Sequence, residues 1–303
     1  MKRAVENGGS LLDVGRSMFD VRRSRVFLFD NGSLRADATR ALRALAVALE
    51  SRIGVPVEAV SLLHSTKIPA DQLDGIPARL LEPALNAFFQ QSPGAHAVLL
   101  PLFFGPSGAV TGYLPGRVRA LLERFPAARI TQACWLVDPA QPDGGAPEIV
   151  AILADRVRAV IHSAGLGRPR VLLVDHGSPK RSVTAVRNLL GAALARELAG
   201  ECAGVGVASM ERREEERYDF NEPLLERALV TAPANQGDVV VALQFLSPGR
   251  HAGPGGDITQ ICQAAERANP GLRTHITDTL AGDPRLVEVL ARRFDELRVT
   301  NYE

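Results

Sequence analysis

Cysteine is scarce in this chain of 303 residues, which contains three: Cys134, Cys202 and Cys262. No two of them have the CxxC spacing, and an odd number cannot all pair with one another. These features argue against a disulfide-stabilised scaffold and against a cysteine-built zinc site. The pattern is typical of reduced thiols in a cytoplasmic protein.

An excess of charge of either sign is also absent, since 35 Lys and Arg stand against 34 Asp and Glu. Without a global basic field, neither nucleic acid nor an anionic membrane is an expected partner, and an acidic ligand must meet local positive charge. The apolar runs are shorter than the roughly 18 to 20 residues that a membrane-spanning helix needs. Residues 1–24 are polar and lack the apolar core of a signal peptide, so a cytoplasmic location is predicted.

One segment is present twice: RVFLFDNGS at 25–33 and RVLLVDHGS at 170–178 agree at six of nine positions. Each copy predicts an apolar strand, a turn-forming loop and then a helix with apolar residues at helical spacing. The chain length also suggests about two domains, at roughly 100 to 200 residues each. We therefore predict an N-terminal extension over 1–24, one repeat over 25–164 and a second over 170–303.

Strands alternate with helices in both predicted repeats, so the predicted fold class is α/β. Each repeat is expected to be a small parallel sheet flanked by helices and closed by its final helix, with a cleft between the two repeats. In the first repeat the strands are predicted at 25–30, 55–63, 96–104 and within 117–139, and the closing helix at 147–161. In the second repeat the strands are predicted at 170–175, 203–211, 238–246 and within 261–284, and the closing helix at 284–297.

Three polar residues follow the first three strands of the second repeat: His176, Glu211 and His251. Because the carboxyl ends of parallel strands meet at one edge of a sheet, we expect these side chains to converge where ligands bind such folds. The corresponding residues of the first repeat are Asn31, then Leu63 or His64, and finally Ser107 or Gly108. The sequence therefore predicts one working site, in the second repeat, and a first repeat that serves as scaffold.

Two imidazoles without thiolates suit a borderline divalent ion such as cobalt, nickel, iron or zinc, and two protein ligands leave coordination positions open. Such an open site suits transfer of the metal ion to another molecule better than storage of the ion. Glu211 could accept a proton or help to hold the ion. The alternatives for this acidic role are Glu214, Glu215 and Glu216.

Other motifs carry less weight. Asp257, with Gln260 three residues later, is predicted to be the N-cap of the helix that follows His251. The remaining histidines are expected at the surface or at helix and strand ends, with His64 the one that could face the cleft: His64, His96, His162 and His275. No Walker sequence and no GxGxxG motif follows a strand, so no nucleotide is expected.

The HGS turn after a strand, an acidic residue after the next strand, and LSPGRH (246–251) followed by DI (257–258) resemble the class II tetrapyrrole chelatases of the CbiX and SirB family of sirohydrochlorin chelatases. The likeness covers residues 25–297, once per half, as in the family's longer duplicated members. It implies two tandem chelatase-like domains, the first of them degenerate. It also implies insertion of Co²⁺ or Fe²⁺ into sirohydrochlorin without ATP, in the biosynthesis of cobalamin or sirohaem.

The same resemblance implies that His176 and His251 are the catalytic histidines and metal ligands, and that Glu211 is the catalytic acidic residue. Sirohydrochlorin carries eight carboxylates, so local cations and hydrogen-bond donors are expected to hold it. The residues assigned to that role are Ser178, Lys180, Arg181, Arg212, Arg213 and Arg250.

Two other interpretations stay open. One is a chelatase for another metal or macrocycle, such as Ni²⁺ or a porphyrin, and the other is a non-catalytic carrier of tetrapyrrole or metal. The residues do not choose between cobalt and iron, because imidazole and carboxylate ligands accept either ion. The expected partner is the tetrapyrrole, and the chain is expected to be a monomer or a homodimer.

Overall fold

The computed structural model describes residues 23–141 and 145–299. The predicted extension of residues 1–24 lies outside these ranges except for its last two residues, and Ser24 already belongs to the first strand. In the described part of the chain, no helix is both long and apolar enough to cross a membrane.

The first half of the chain alternates strands with helices. Its strands are β1 (Ser24–Asp30), β2 (Val57–Ser61), β3 (His96–Pro101) and β4 (Arg129–Gln132). Its helices are α1 (Ala36–Ile53), α2 (Leu81–Gln91), α3 (Leu114–Arg124) and α4 (Pro147–Ser163). Two short 3-10 helices, Ser65–Lys67 and Ala70–Leu73, follow β2, and a π-helical segment, Ala109–Tyr113, precedes α3.

The second half has the same alternation. Its strands are β5 (Arg170–Asp175), β6 (Gly204–Ser209), β7 (Gly237–Leu243) and β8 (Leu272–Ile276). Its helices are α5 (Arg181–Glu197), α6 (Leu225–Ala228), α7 (Asp257–Ala268) and α8 (Arg285–Val299). A 3-10 helix, Glu216–Asn221, lies between β6 and α6.

Each half forms a four-stranded parallel sheet, with strand order β2-β1-β3-β4 in the first and β6-β5-β7-β8 in the second. The predicted α/β fold with two small parallel sheets is confirmed. This order places the carboxyl ends of β6, β5 and β7 side by side. The three loops predicted to carry the chemistry therefore begin at one sheet edge.

Along the central strands, successive side chains alternate between the two faces of each sheet. In β1, Val26 and Leu28 enter a core cluster that both halves share, whereas Phe27 and Phe29 enter a cluster that belongs to the first half. Strand β5 behaves in the same way, because Leu173 lies in the shared core. Successive side chains of a strand point to opposite faces, so each sheet is covered on both sides.

The closing helices are exchanged between the halves. Helix α4 packs against α5 and β7 of the second half, and α8 packs against α1 and β3 of the first half. The expectation that each final helix closes its own repeat was therefore incomplete. Apolar spacing predicts that these helices bury a face, but it does not predict which sheet covers that face. The result is one apolar core between the sheets.

We predict that Leu290→Ala, in α8, lowers the free energy of unfolding by about 2 to 5 kcal/mol, as expected for a leucine in a close-packed core. Leu290 has no exposed surface and lies in the core that both halves share. Urea unfolding should therefore keep a single transition that moves to lower urea. Val47→Ala on α1, where the side chain is 69% exposed, is the control and should change stability by less than about 0.5 kcal/mol. Two separate transitions in the Leu290 variant would contradict a shared core.

Candidate functional site

The structure brings the three predicted residues His176, Glu211 and His251 together at the carboxyl edge of the second sheet. The imidazole rings of His176 and His251 lie 4.8 Å apart, centroid to centroid, with their planes at 82°. The Nε2 atom of His176 lies 3.7 Å from Oε1 of Glu211. His176 therefore lies beside both His251 and Glu211.

A close approach of two backbones makes this convergence possible. Gly177 has φ +89°, and a Cβ at this position would overlap the carbonyl oxygen of Glu211. The backbone N–H of Glu211 donates to the carbonyl oxygen of His176 at 3.2 Å. Only glycine allows both the left-handed conformation and this contact, so Gly177 fixes the separation of the two loops.

The site is open to solvent. The side chains of His176 and Glu211 are 47% and 60% exposed, whereas that of His251 is 30% exposed. Nδ1 of His176 lies 3.2 Å from the carbonyl oxygen of Gly177, so its Nε2 is the nitrogen that faces Glu211. An incoming ligand can reach all three groups.

Asp257 is a functional candidate, although its position in the sequence predicts only a helix N-cap. Its Oδ2 lies 2.6 Å from Nδ1 of His251. The prediction that Asp257 caps α7 was wrong: Gly256 occupies the N-cap position, and Gln260 bonds to the carbonyl oxygen of Gly255. The sequence signal for this contact was an aspartate at the start of a helix, six residues after a histidine. An aspartate at a helix start is equally typical of an N-cap, so the signal was ambiguous.

A buried hydrogen-bond network supports the His176 turn, and its members were not predicted. Asn221 is fully buried; its Oδ1 accepts bonds from the backbone N–H of Ser178 and the hydroxyl of Thr184, and its Nδ2 donates to the carbonyl oxygens of Ser178 and Tyr218. It joins the turn to the segment that follows Glu211. Buried polar groups need such partners, so this network defines one loop arrangement.

A buried cation completes the network. Arg187, 1% exposed, donates to the hydroxyl of Ser209 at 2.6 Å and to the carbonyl oxygen of Asn221 at 2.7 Å. Ser209 in turn donates to the Asp175 carboxylate at 2.5 Å, and the Arg187 guanidinium lies 4.0 Å from the same oxygen. Burial raises the pKa of Asp175, while Ser209 and Arg187 oppose that rise.

The first half keeps the turn and lacks the reactive groups. Gly32 has φ +96°, a Cβ there would overlap the carbonyl oxygen of Leu63, and the N–H of Leu63 donates to the carbonyl oxygen of Asn31 at 3.1 Å. These contacts match those of Gly177, so Leu63, and not His64, is the counterpart of Glu211. The seventh residue of α1 is Leu42, where α5 has Arg187.

Two residues predicted to bind the ligand's carboxylates already have partners within the chain. The hydroxyl of Ser178 accepts the backbone N–H of Lys180 at 3.1 Å, and Ser33 makes the same contact with Arg35 in the first half. Arg212 is 15% exposed and donates to Glu222 at 2.8 Å while pairing with Asp219 at 3.1 Å. A role for Ser178 and Arg212 in ligand binding stays a prediction.

The other basic residues remain available. Among residues 23–141 and 145–299, Lys180 and Arg181 have no acidic partner, and the Arg181 guanidinium stacks 4.6 Å from the Phe220 ring centre. Arg250 is 83% exposed, and its Nε lies 3.8 Å from Asp257. Arg213 contacts the Tyr218 hydroxyl at 3.2 Å. These cations border the histidine loops.

The remaining predicted candidates lie outside the constellation. Of Glu211 and its three alternatives, Glu211 is the one within 4 Å of His176, and Glu215 pairs with Arg217. His275 bonds to Asp238, and His96, at the start of β3, bonds to Thr131. Within the described ranges, no group of three or more His, Cys, Asp and Glu side chains is arranged to hold a metal ion. An ion at the imidazole pair would take further ligands from elsewhere.

Comparison with known proteins finds a family model that matches the second half. Residues 170–297 match the CbiX family model, and the resemblance to CbiX and SirB is confirmed. No curated protein sequence matches the chain significantly.

Solved structures extend the likeness to both halves. SirB from Bacillus subtilis with Fe³⁺ has a TM-score of 0.64 at 15% identity, covering 92% of this chain and 97% of that one. SirB from B. subtilis subspecies spizizenii in complex with cobalt has a TM-score of 0.61 at 16% identity, covering 90% and 94%. DR2241 from Deinococcus radiodurans, a multi-domain protein similar to chelatases, has a TM-score of 0.54 at 18% identity, covering 89% and 54%. At these identities the comparison shows the chelatase fold.

We predict that Gly177→Ala destabilises the protein more than Gly165→Ala does. Both glycines have positive φ, +89° and +61°, so alanine costs about 1 to 2 kcal/mol at either site. A Cβ at Gly165 has open space, whereas one at Gly177 overlaps the Glu211 carbonyl and must separate the two loops. Urea unfolding of both variants tests this, and equal losses would mean that the loops are not in close contact.

We also predict a pH signature for Asp30→Asn in the first half. Burial raises the pKa of Asp30, which lacks an arginine equivalent to Arg187, so the folded state binds a proton that the unfolded state has already lost. Wild-type stability should therefore fall as pH rises from about 4 through the folded-state pKa, and the asparagine variant should escape that fall. Urea unfolding of wild type and variant at a series of pH values from about 4 upward checks this prediction. The control is Asp37→Asn, whose carboxylate is 81% exposed, and a difference independent of pH would contradict the prediction.

Proposed function

We propose that the protein is a sirohydrochlorin chelatase, a lyase that inserts Co²⁺ or Fe²⁺ into the tetrapyrrole without ATP, on the way to cobalamin or sirohaem. The observation that carries the proposal is the convergence of His176, His251 and Glu211 at one strand edge of the half that matches the CbiX family model. The SirB structures with Fe³⁺ and cobalt support a metal of this kind as substrate.

In this proposal the imidazole pair receives the metal ion. Neutral imidazole binds cobalt and iron, and two nitrogen ligands in an open site hold an ion without enclosing it. The ion can therefore exchange solvent for pyrrole nitrogens as it leaves the histidines. We propose His176 and His251 as the metal ligands.

The reaction also releases two protons, because the free tetrapyrrole carries two pyrrole N–H groups and the product complex carries none. His176 is suited to accept one after it has released the ion, since its Nε2 lies beside the Glu211 carboxylate at 3.7 Å. Glu211, 60% exposed, can pass protons to solvent. No redox step or phosphate donor is needed.

The carboxylates of the macrocycle need cations, and a chain with net charge +1 supplies them locally. Lys180, Arg181 and Arg250 border the histidine loops, and Arg181 is held against Phe220 with its guanidinium edge free of acidic partners in the described residues. Stacking of this kind leaves the donors of arginine available for a carboxylate.

We propose that residues 25–164 are non-catalytic and that residues 170–303 hold the site. The loop after β3 supports it: the hydroxyl of Ser182 donates to the carbonyl oxygen of Pro106 at 3.4 Å, and a Cβ at Gly105 would press against Val186. The first half thereby reaches the helix that follows the His176 turn, so it can form a wall of the cleft.

The test is an anaerobic absorbance assay with metal-free sirohydrochlorin and Co²⁺, Fe²⁺ or Ni²⁺ in turn. We expect the protein to insert metal faster than the reaction without protein. The insertion rate should fall by about 100-fold or more in His176→Ala and in His251→Ala, which is the effect of removing an acid–base group. Asn31→Ala, the matched position in the first half, should keep the wild-type rate.

Each alternative has its own result in this assay. Tetrapyrrole binding without faster insertion would contradict the enzyme and favour a carrier. Preference for Ni²⁺, or turnover of another macrocycle in place of sirohydrochlorin, would contradict the stated substrates and keep the chelatase.

A further inference from the structure

The contact between His251 and Asp257 points to a role that the proposed function does not include. Nδ1 of His251 and Oδ2 of Asp257 are 2.6 Å apart, and both side chains are about two-thirds buried, at 30% and 35% exposure. We propose that Asp257 is a positioning residue that fixes the ring of His251 with Nε2 free to bind the metal ion. This inference rests on the proposed chelatase function.

The chemistry of the contact restricts the tautomer of His251. An ionised carboxylate only accepts hydrogen bonds, so the ring nitrogen facing it must carry the hydrogen. The lone pair of neutral His251 then lies on Nε2, the nitrogen directed away from Asp257. A carboxylate behind a metal-binding histidine is a common arrangement, because it fixes the ring and makes the free nitrogen a better donor to the metal.

Asp257 is itself held in place. It is the first residue of α7, where the helix N-terminus favours a negative charge. The loop between the pair closes on itself, because the N–H of Ile258 donates to the carbonyl oxygen of His251 at 3.2 Å. A Cβ at Gly256 would lie 2.5 Å from the carbonyl oxygen of Arg250, so the closed loop requires glycine at this position.

His176 has different surroundings. Its Nδ1 faces a backbone carbonyl oxygen, at a longer distance of 3.2 Å, and its Nε2 faces the exposed carboxylate of Glu211. The pair is therefore asymmetric: a carboxylate contacts the ring of His251, whereas a backbone carbonyl oxygen contacts that of His176.

The first experiment measures the tautomer and metal affinity without tetrapyrrole. The ring nitrogens of His251 are observed by NMR in histidine-labelled protein, assigned with His251→Ala, and Co²⁺ alone is titrated by calorimetry. Wild type should show the hydrogen on Nδ1. In Asp257→Asn the amide can donate to Nδ1, so we expect hydrogen on Nε2 and a Co²⁺ affinity about 10- to 100-fold weaker. Asp257→Glu should restore part of the affinity.

The matched control is Asp238→Asn. Asp238 accepts a hydrogen bond from Nε2 of His275 at 3.0 Å, in the same sheet, with Asp238 at the start of β7. This variant removes an aspartate from a histidine outside the site. It should alter the signals of His275 and leave the tautomer of His251, the Co²⁺ affinity and the insertion rate unchanged. Thermal unfolding of all variants reports whether any loss comes from the fold.

The outcomes separate this inference from the proposed function. If wild type inserts metal and Asp257→Asn keeps its tautomer, Co²⁺ affinity and rate, Asp257 does not position His251. If wild type inserts no metal but Asp257→Asn changes the tautomer and weakens Co²⁺ binding, the positioning role stands and the chelatase fails. If all Asp257 variants unfold well below wild type, Asp257 is a stability residue, and the inference is overturned.

Discussion

The apolar core between the two sheets is the constraint on which the rest of the structure depends. The inner face of each sheet is covered only in part by its own helix, α1 or α5, and the closing helix of the other half covers the rest. Burying such a face contributes roughly 25 cal/mol per Å², so neither sheet can leave it exposed without a large loss. This explains why a half without reactive groups is kept: its sheet packs with α8, and its helix α4 covers the sheet that carries the site.

The two halves differ in polarity beneath their strand-end turns. In both halves an aspartate at the end of the first strand bonds to a serine. In the second half this aspartate is buried, a buried arginine compensates its carboxylate, and an asparagine bonds to the turn that follows it. In the first half Leu42 and Ser65 stand in their place, and Ser65 accepts the N–H of Ser33 as Asn221 accepts that of Ser178. A buried charge is costly unless it is paired. The turn that carries the site therefore depends on more buried polar partners than the matching turn of the first half.

Sequence patterns predicted the features that depend on residues close together in the chain. The eight strands, the parallel sheets and the histidines at strand ends follow from apolar runs and turn residues, because these elements are local. The exchange of α4 and α8 depends on how two sheets stack, and the spacing of apolar residues carries no such information. The N-cap prediction for Asp257 was wrong for a related reason: a charged residue beside a helix or loop has several potential partners, and only the folded geometry selects among them.

The position of α8 along the chain has a consequence for synthesis. Translation proceeds from the N-terminus, and α8 is made after every other described element. When the first sheet leaves the ribosome, α1 can cover part of its inner face, but α8, which packs against β3, does not yet exist. Helix α4 is likewise made before the second sheet, against which it packs. The first half must therefore remain incomplete throughout most of translation, and its apolar surface is open to chaperones until the last helix docks.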